Sequence, residues 1–175
     1  KIPSSQTAFL RYLFGTIFLL PIILNSFRDI QIKLMNKFVL RSFFHAIGVS
    51  LWFYSMTVIT IAEVTAIGYL TPIFVCIGAI ILFKENIKGF RAFAITLSFI
   101  GAMIILRPGF HEFKLGQYSM LLAAFVFSFS YLMVKYLAKT KNSLEIVGFL
   151  SLFTTIFLLS LIHISEPTRQ PIISY

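Results

Sequence analysis

The sequence has little charge and almost no cysteine, and both shortages limit what the chain can be. Charged side chains make up 12% of the 175 residues, whereas 58% of the residues are hydrophobic. A soluble domain carries about twice that share of charge and could not bury so much apolar surface, so a lipid bilayer must solvate most of the chain. The single cysteine, Cys76, lies inside an apolar run and excludes a disulfide framework or a cysteine-based metal cluster.

Enzyme signatures are also missing from the sequence. It contains no glycine-rich phosphate loop and no HExxH zinc motif, and its three histidines (His45, His111 and His163) are too scattered to predict a metal site. The six carboxylates all fall between or at the edges of apolar stretches, which argues against proton coupling through a buried acid. We therefore expect neither an enzyme nor a bound cofactor or metal.

Six apolar stretches have the length of membrane-spanning helices. Such a helix needs about 20 apolar residues to cross a hydrocarbon core of ~30 Å, and slightly fewer when flanking arginines reach the headgroups. The alternation typical of strands is absent, so the sequence predicts an all-α polytopic membrane protein. The predicted spans are residues 7–24, 42–61, 64–83, 92–106, 115–134 and 146–163.

Basic residues alternate between the two sides of the predicted spans. The loops after spans one, three and five are rich in lysine and arginine, and the positive-inside rule therefore makes these loops cytoplasmic. This distribution explains the net charge of +9 without a nucleic-acid partner. The basic residues of the predicted cytoplasmic loops are Arg28, Lys33, Lys37, Arg41, Lys84, Lys88, Arg91, Lys135, Lys139 and Lys141. Those of the opposite side are Lys1, Arg107 and Lys114.

A short phrase occurs near both ends of the chain. Residues 9–20 read FLRYLFGTIFLL and residues 149–159 read FLSLFTTIFLL, so the pattern LF-x-TIFLL is shared. The two copies are five spans apart and run in opposite directions, as in the inverted-topology repeats of many secondary transporters. Chance is the competing explanation, because Leu, Phe and Ile dominate every span.

Several motifs between residues 40 and 109 resemble the EamA domain of the drug/metabolite transporter superfamily. They are FYSM in the second span, the IAEVTA hairpin, YLTPIF with Pro72, FKENI, and Gly101 followed by RPG. AFLRYLFG in the first span is similar to that family's arginine-bearing second helix. GQYSMLLAAFVFSFSYLMVKYL resembles the helix that opens its second repeat. The chain is also similar to the family's S-adenosylmethionine uptake carriers, although no residue fixes that substrate.

The resemblance implies a ten-helix fold built from two inverted five-helix repeats. Residues 1–109 would form the first repeat without its first helix, and residues 110–163 the two helices that open the second, so we expect a fragment. We interpret residues 164–175 as a polar tail of non-native sequence, since ISEPTRQPIISY resembles translated vector sequence. An ordinary loop is the alternative.

The same resemblance implies a secondary carrier of the bacterial inner membrane. It would move a small polar or amphipathic metabolite or drug by alternating access, with that molecule and the lipid bilayer as its partners. One alternative is a dimeric exporter of the small multidrug-resistance type, whose intramembrane glutamate this sequence lacks. A membrane fragment or interaction subunit without transport is the other alternative, and the sequence leaves a homodimer open.

Eight side chains within the spans are candidates for contacting a substrate. Arg11 lies about one turn inside the first span, where a cation costs on the order of 3 kcal/mol unless it faces water or reaches the headgroups. It could bind an anionic group in a cavity, pair with Glu63 or snorkel. Pro72 predicts a kinked third span whose carbonyls open beside Tyr69 and Thr71. The remaining candidates, for which helix packing is the alternative, are polar side chains within spans two and five: Trp52, Tyr54, Ser128 and Tyr131.

Overall fold

The computed structural model describes residues 4–27, 30, 32–86, 89–106 and 114–165. Every regular element in these ranges is an α-helix, which confirms the predicted all-α class. The helices are α1 (Ser4–Phe27), α2 (Ile32–Val58), α3 (Ile61–Gly68), α4 (Thr71–Phe83), α5 (Gly89–Leu106), α6 (Leu115–Leu137) and α7 (Ser143–Ser165). Lys1, Arg28, Lys88 and Arg107, which enter the predicted orientation, lie outside the described residues.

Four of the described segments are long and apolar enough to cross a membrane. They are Gln6–Phe27, Ile61–Phe83, Leu115–Leu137 and Ser143–His163, and Gly89–Ile105 is a shorter apolar helix. The helix α2 is the longest, at 27 residues, yet it is not among the four because polar side chains interrupt its apolar run. The polar side chains that α2 buries are Arg41, Ser42, His45 and Ser55.

The predicted third span is interrupted just before Pro72. The helix α3 ends at Gly68 and α4 begins at Thr71, and the Leu70 amide donates to the Ile67 carbonyl at 2.9 Å, a tighter bond than an α-helical one. Pro72 has no N–H to donate to the Gly68 carbonyl and its ring crowds that oxygen, which accounts for the interruption. At the start of α4, by contrast, a proline is well tolerated.

Two helix pairs form the centre of the molecule. The helix α2 packs along α6, while α1 packs along α7, and α7 also contacts α2. The helices α3 and α4 lie against α6, and α5 is attached through α3. Where α1, α2 and α7 meet, the fully buried rings of Phe38 and Phe149 lie 4.9 Å apart. The polar face of α2 is thus covered by other helices, while Leu40 and Phe43 remain exposed.

The two copies of the repeated phrase lie against each other. The pairing is antiparallel, because Gly15 lies next to Ser151 whereas Gly148 lies next to Ile23. The Oγ1 atoms of Thr16 and Thr155 are 3.2 Å apart, and these threonines occupy the same position in the phrase. Contact between equivalent positions is expected where two similar elements are related by a two-fold axis.

Candidate functional site

A cavity of about 590 Å³ lies between α4, α5 and α6, beside the break in the third span. Three of the predicted substrate contacts (Thr71, Pro72 and Tyr131) line it. The helix break places Thr71 and Pro72 there, and Tyr131 faces them from α6. The structure therefore joins residues 60 positions apart in sequence at one opening.

The cavity combines one positive charge with hydroxyl groups and apolar walls. Arg91 from α5 supplies the charge. Ser98, further along the same helix, supplies a hydroxyl that donates to the Ala94 carbonyl at 3.0 Å. Gly68 also lies in the wall, and its carbonyl lacks the amide donor that Pro72 cannot provide. Among the lining residues that the structure describes there is no carboxylate, so the site suits an amphipathic ligand with an anionic or hydrogen-bond-accepting group.

Arg91 was not predicted as a site residue. The sequence assigned it to a basic loop that sets the orientation, and it instead lies in the first turn of α5 and lines the cavity. No pattern in the sequence identifies it, because its place opposite Pro72 depends on how α5 packs. Hydropathy alone treats such a residue as a flank.

Arg11 and Trp52 come together at a second place. The guanidinium carbon of Arg11 lies 5.9 Å from the Trp52 ring centroid, within the range of a cation–π contact, and 5.7 Å from that of Tyr12. Arg11 is exposed. The structure does not bring this pair to the cavity wall, so the predicted residues form two groups rather than one site.

The suggested pairing of Arg11 with Glu63 does not occur. The Glu63 carboxylate instead accepts from the Thr60 amide at 3.0 Å and from the Gln117 side-chain amide at 2.8 Å. The first bond caps α3 and the second ties the start of α3 to the start of α6. Both oxygens of Glu63 are thereby used, and Arg11 is left to its aromatic neighbours.

Three further candidates lie in neither group. Tyr54 and Tyr69 are exposed on the surface of the bundle. Ser128 is buried and donates to the Phe125 carbonyl of its own helix at 2.6 Å. The hydroxyl of Ser128 is therefore bonded within α6, and its role as a substrate contact or in hydrogen bonding between helices stays a prediction.

A buried polar network centres on His45, which the sequence placed at a span end. Its Nε2 lies 2.8 Å from the Tyr12 hydroxyl and its Nδ1 3.4 Å from the Ser130 hydroxyl. Phe127, whose ring centroid is 5.1 Å from that of His45, stacks on Tyr131 of the cavity wall. The network therefore lies one aromatic layer behind the cavity.

Arg41 was predicted to be a loop cation and is buried instead. Only 4% of it is exposed, and its Nη1 donates to the Ile146 carbonyl at 2.9 Å, where α2 meets α7. Its Nε has no hydrogen-bond partner among the residues that the structure describes. Arg41, Ser42 and His45 are spaced so that they share one face of α2, and this spacing was a readable signal of a buried polar face.

Metal ligands do not gather in the part of the chain that the structure describes. No three His, Cys, Asp or Glu side chains lie close enough there to hold a metal ion. Cys76 is a buried free thiol.

Comparison with known proteins gives one family match and several relatives. The sequence profile of the EamA-like transporter family matches residues 1–107. The chain is 30% identical over 176 residues to the riboflavin transporter of Vibrio cholerae, covering 98% of the chain and 59% of that protein. It is 27% identical over 155 residues to the riboflavin transporter of Brucella anthropi, covering 88% and 55%.

A third relative carries a different substrate name. The chain is 28% identical over 130 residues to the S-adenosylmethionine uptake transporter of Rickettsia prowazekii, covering 73% of the chain and 44% of that protein. The chain spans about half the length of the curated relatives that it matches. No solved structure matches it.

Proposed function

Since the chain belongs to the EamA-like transporter family, we propose that it serves in an inner-membrane carrier that moves a small polar or amphipathic metabolite. The names of the matched relatives support a transporter rather than an enzyme. The observation that carries the proposal is the cavity beside the broken third span. Interrupted helices near mid-membrane commonly form transporter binding sites, because their free backbone groups can contact a ligand.

The substrate that we propose is a planar heteroaromatic ring joined to a polar tail. Riboflavin and S-adenosylmethionine, which name the relatives' activities, share that design. A volume of about 590 Å³ is in the range of small-molecule sites. The apolar walls around Pro72 suit a ring, while Arg91 and the hydroxyl of Tyr131 suit the tail.

We further propose that the chain is organised as two inverted repeats that meet at α1 and α7. Residues 1–109 would belong to the first repeat and residues 110–163 to the second, with the basic loops after the first, third and fifth spans in the cytoplasm. The contact between Thr16 and Thr155 at equivalent positions of the repeated phrase supports this arrangement. Alternating access would then be a rocking of the repeats about that contact.

The predicted tail, residues 164–175, begins within the last turn of α7. Residues 166–175 lie outside the described residues, and α7 extends to Ser165. The non-native interpretation of residues 164–175 therefore stays a prediction. A homodimer likewise stays a prediction.

The test is uptake of radiolabelled riboflavin and S-adenosylmethionine into vesicles containing the protein expressed from its full reading frame. We expect Arg91→Gln to lower uptake at least tenfold, because a hydrogen bond to a charged group contributes about 1.5–3 kcal/mol. Lys84→Gln, which removes an exposed charge outside the cavity, is the matched control and should leave uptake unchanged. Normal uptake by Arg91→Gln at equal membrane levels would contradict the assigned site.

A labelling experiment separates a carrier from a membrane subunit without transport. In a Cys76→Ala background, Ser98→Cys should react with a water-soluble thiol reagent, because the cavity would be filled with water. Prior addition of the transported substrate should slow that reaction. A cysteine at position 98 that stays unreactive would contradict a water-filled cavity.

A further inference from the structure

A second pocket lies where α2 begins and α6 ends. It has a volume of about 560 Å³. Polar and basic side chains dominate its lining: Lys33, Asn36, Lys37, Tyr136, Thr140 and Lys141. No carboxylate is among the lining residues that the structure describes. The pocket is therefore built for an anion, and nothing in the proposed transport cycle uses it.

The lysines of this pocket are held in different ways. The Lys37 ammonium lies 3.0 Å from the centroid of the Tyr136 ring, and Lys141 forms an ion pair with Glu145 at 3.1 Å. Lys33 is exposed at the second position of α2, where the positive end of the helix dipole adds to its charge. The ammonium groups of Lys33 and Lys37, beside the hydroxyls of Tyr136 and Thr140, can bind a phosphate group from several sides.

An apolar groove continues from this pocket along α2. It has a volume of about 400 Å³ and shares Asn36 with the basic pocket. Its other lining residues are Val39, Leu40 and Phe43 of α2 and Phe157 of α7. Leu40 and Phe43 are exposed, so the groove is open to whatever surrounds the bundle.

We propose that the pocket and the groove together bind an anionic phospholipid. The phosphate would lie among Lys33, Lys37 and Tyr136, and one acyl chain would follow the groove past Phe43. Tyr136 is next to the last residue of the apolar span Leu115–Leu137, so the pocket lies at the level of the headgroups. A free phosphate would satisfy the basic pocket alone, whereas only a lipid also covers the apolar groove.

The experiment is native mass spectrometry of the purified protein with added phosphatidylglycerol or phosphatidylcholine. We expect phosphatidylglycerol to bind at least tenfold more tightly, and the double variant Lys33→Gln/Lys37→Gln to lose most of that preference. The control is Lys84→Gln/Lys139→Gln, which removes the same net charge from residues that do not line the pocket. Equal loss in both double variants would show a general effect of charge and overturn the site.

Two further arms identify the source of the phosphate. Phe43→Ala should weaken phosphatidylglycerol binding several-fold, and millimolar inorganic phosphate should fail to displace the lipid. Displacement by inorganic phosphate, together with an unchanged Phe43→Ala variant, would identify a free-phosphate site and overturn the lipid proposal. Far-ultraviolet circular dichroism of each variant checks that the helices are intact.

Discussion

The close contact between α2 and α6 at Gly48 gives a sharp test of the packing. At Gly48 an added methyl group would stand 2.8 Å from the ring of Phe127. Phe127 cannot easily turn away, because its ring also contacts His45 and stacks on Tyr131. Gly101 in α5 provides the matched control, since an added methyl group there meets nothing within 4 Å.

The expected magnitudes follow from two opposing effects. Replacing glycine by alanine inside a helix stabilises it by about 1 kcal/mol, and this gain applies at both positions. Forcing a methyl group into a filled contact costs about 1–3 kcal/mol, and this cost applies only at Gly48. Gly48→Ala should therefore be less stable than Gly101→Ala by about 1–3 kcal/mol.

The assay is unfolding in mixed micelles with increasing dodecyl sulfate, followed by circular dichroism. The midpoint of Gly48→Ala should lie below that of Gly101→Ala, and Phe127→Leu should recover part of the loss in the Gly48→Ala background by freeing space. Equal midpoints for the two alanine variants would refute the close contact between α2 and α6. If Phe127→Leu recovered no stability, the loss in Gly48→Ala could not be assigned to a clash with the Phe127 ring.

Two further predictions concern single polar contacts. Thr16→Val should destabilise the protein by about 0.5–1 kcal/mol, because it removes the hydroxyl contact with Thr155 between helices. Thr154→Val should be neutral or stabilising, since that buried hydroxyl has no partner among the described residues. The reverse order of stability in the same unfolding assay would contradict this. Lys135 hydrogen-bonds Glu85 and holds the pKa of that carboxyl below its usual range, so the stabilisation by the pair is present above the unfolded-state pKa and is lost as pH falls through the lower folded-state pKa. Lys135→Gln should raise the pKa of Glu85, as measured by NMR titration of the labelled carboxyl, and an unchanged pKa would exclude the pair in solution.

Four of the six predicted spans coincide with helical segments long and apolar enough to cross a membrane, because span length and hydropathy are set by the thickness of the bilayer. The other two, residues 42–61 and 92–106, belong to the polar helix α2 and the shorter helix α5. The ends of the helices were less predictable. The helix α2, for example, begins at Ile32, ten residues before the predicted second span. Hydropathy reports which residues lie in hydrocarbon, whereas a helix can continue through a basic flank into water. The interruption at residues 69–70 was anticipated at Pro72, but its extent was not, because a single proline does not specify how many residues leave the helix.

The candidate site was partly predictable. Thr71, Pro72 and Tyr131 were selected for their chemistry, and the structure places them at one cavity. Arg91 joins them only through the packing of α5, which no local pattern encodes. The partners of His45 come from α1 and α6, 33 and 85 residues away, so its network could not be read from neighbouring residues.

The polarity of α2 has a consequence for how the protein is made. Arg41 donates one hydrogen bond to the Ile146 carbonyl of α7, and the Nδ1 of His45 lies near the Ser130 hydroxyl of α6. The end of α7 leaves the ribosome roughly 100 residues after α2 is complete. At bacterial rates of synthesis this is a delay of about 5–20 s. A nascent chain arrested before α6 should leave a cysteine at position 42 open to a water-soluble reagent, and protection at that stage would contradict the idea. We therefore expect α2 to take its final position in the membrane only after α6 and α7, which contact its buried polar side chains, have been translated.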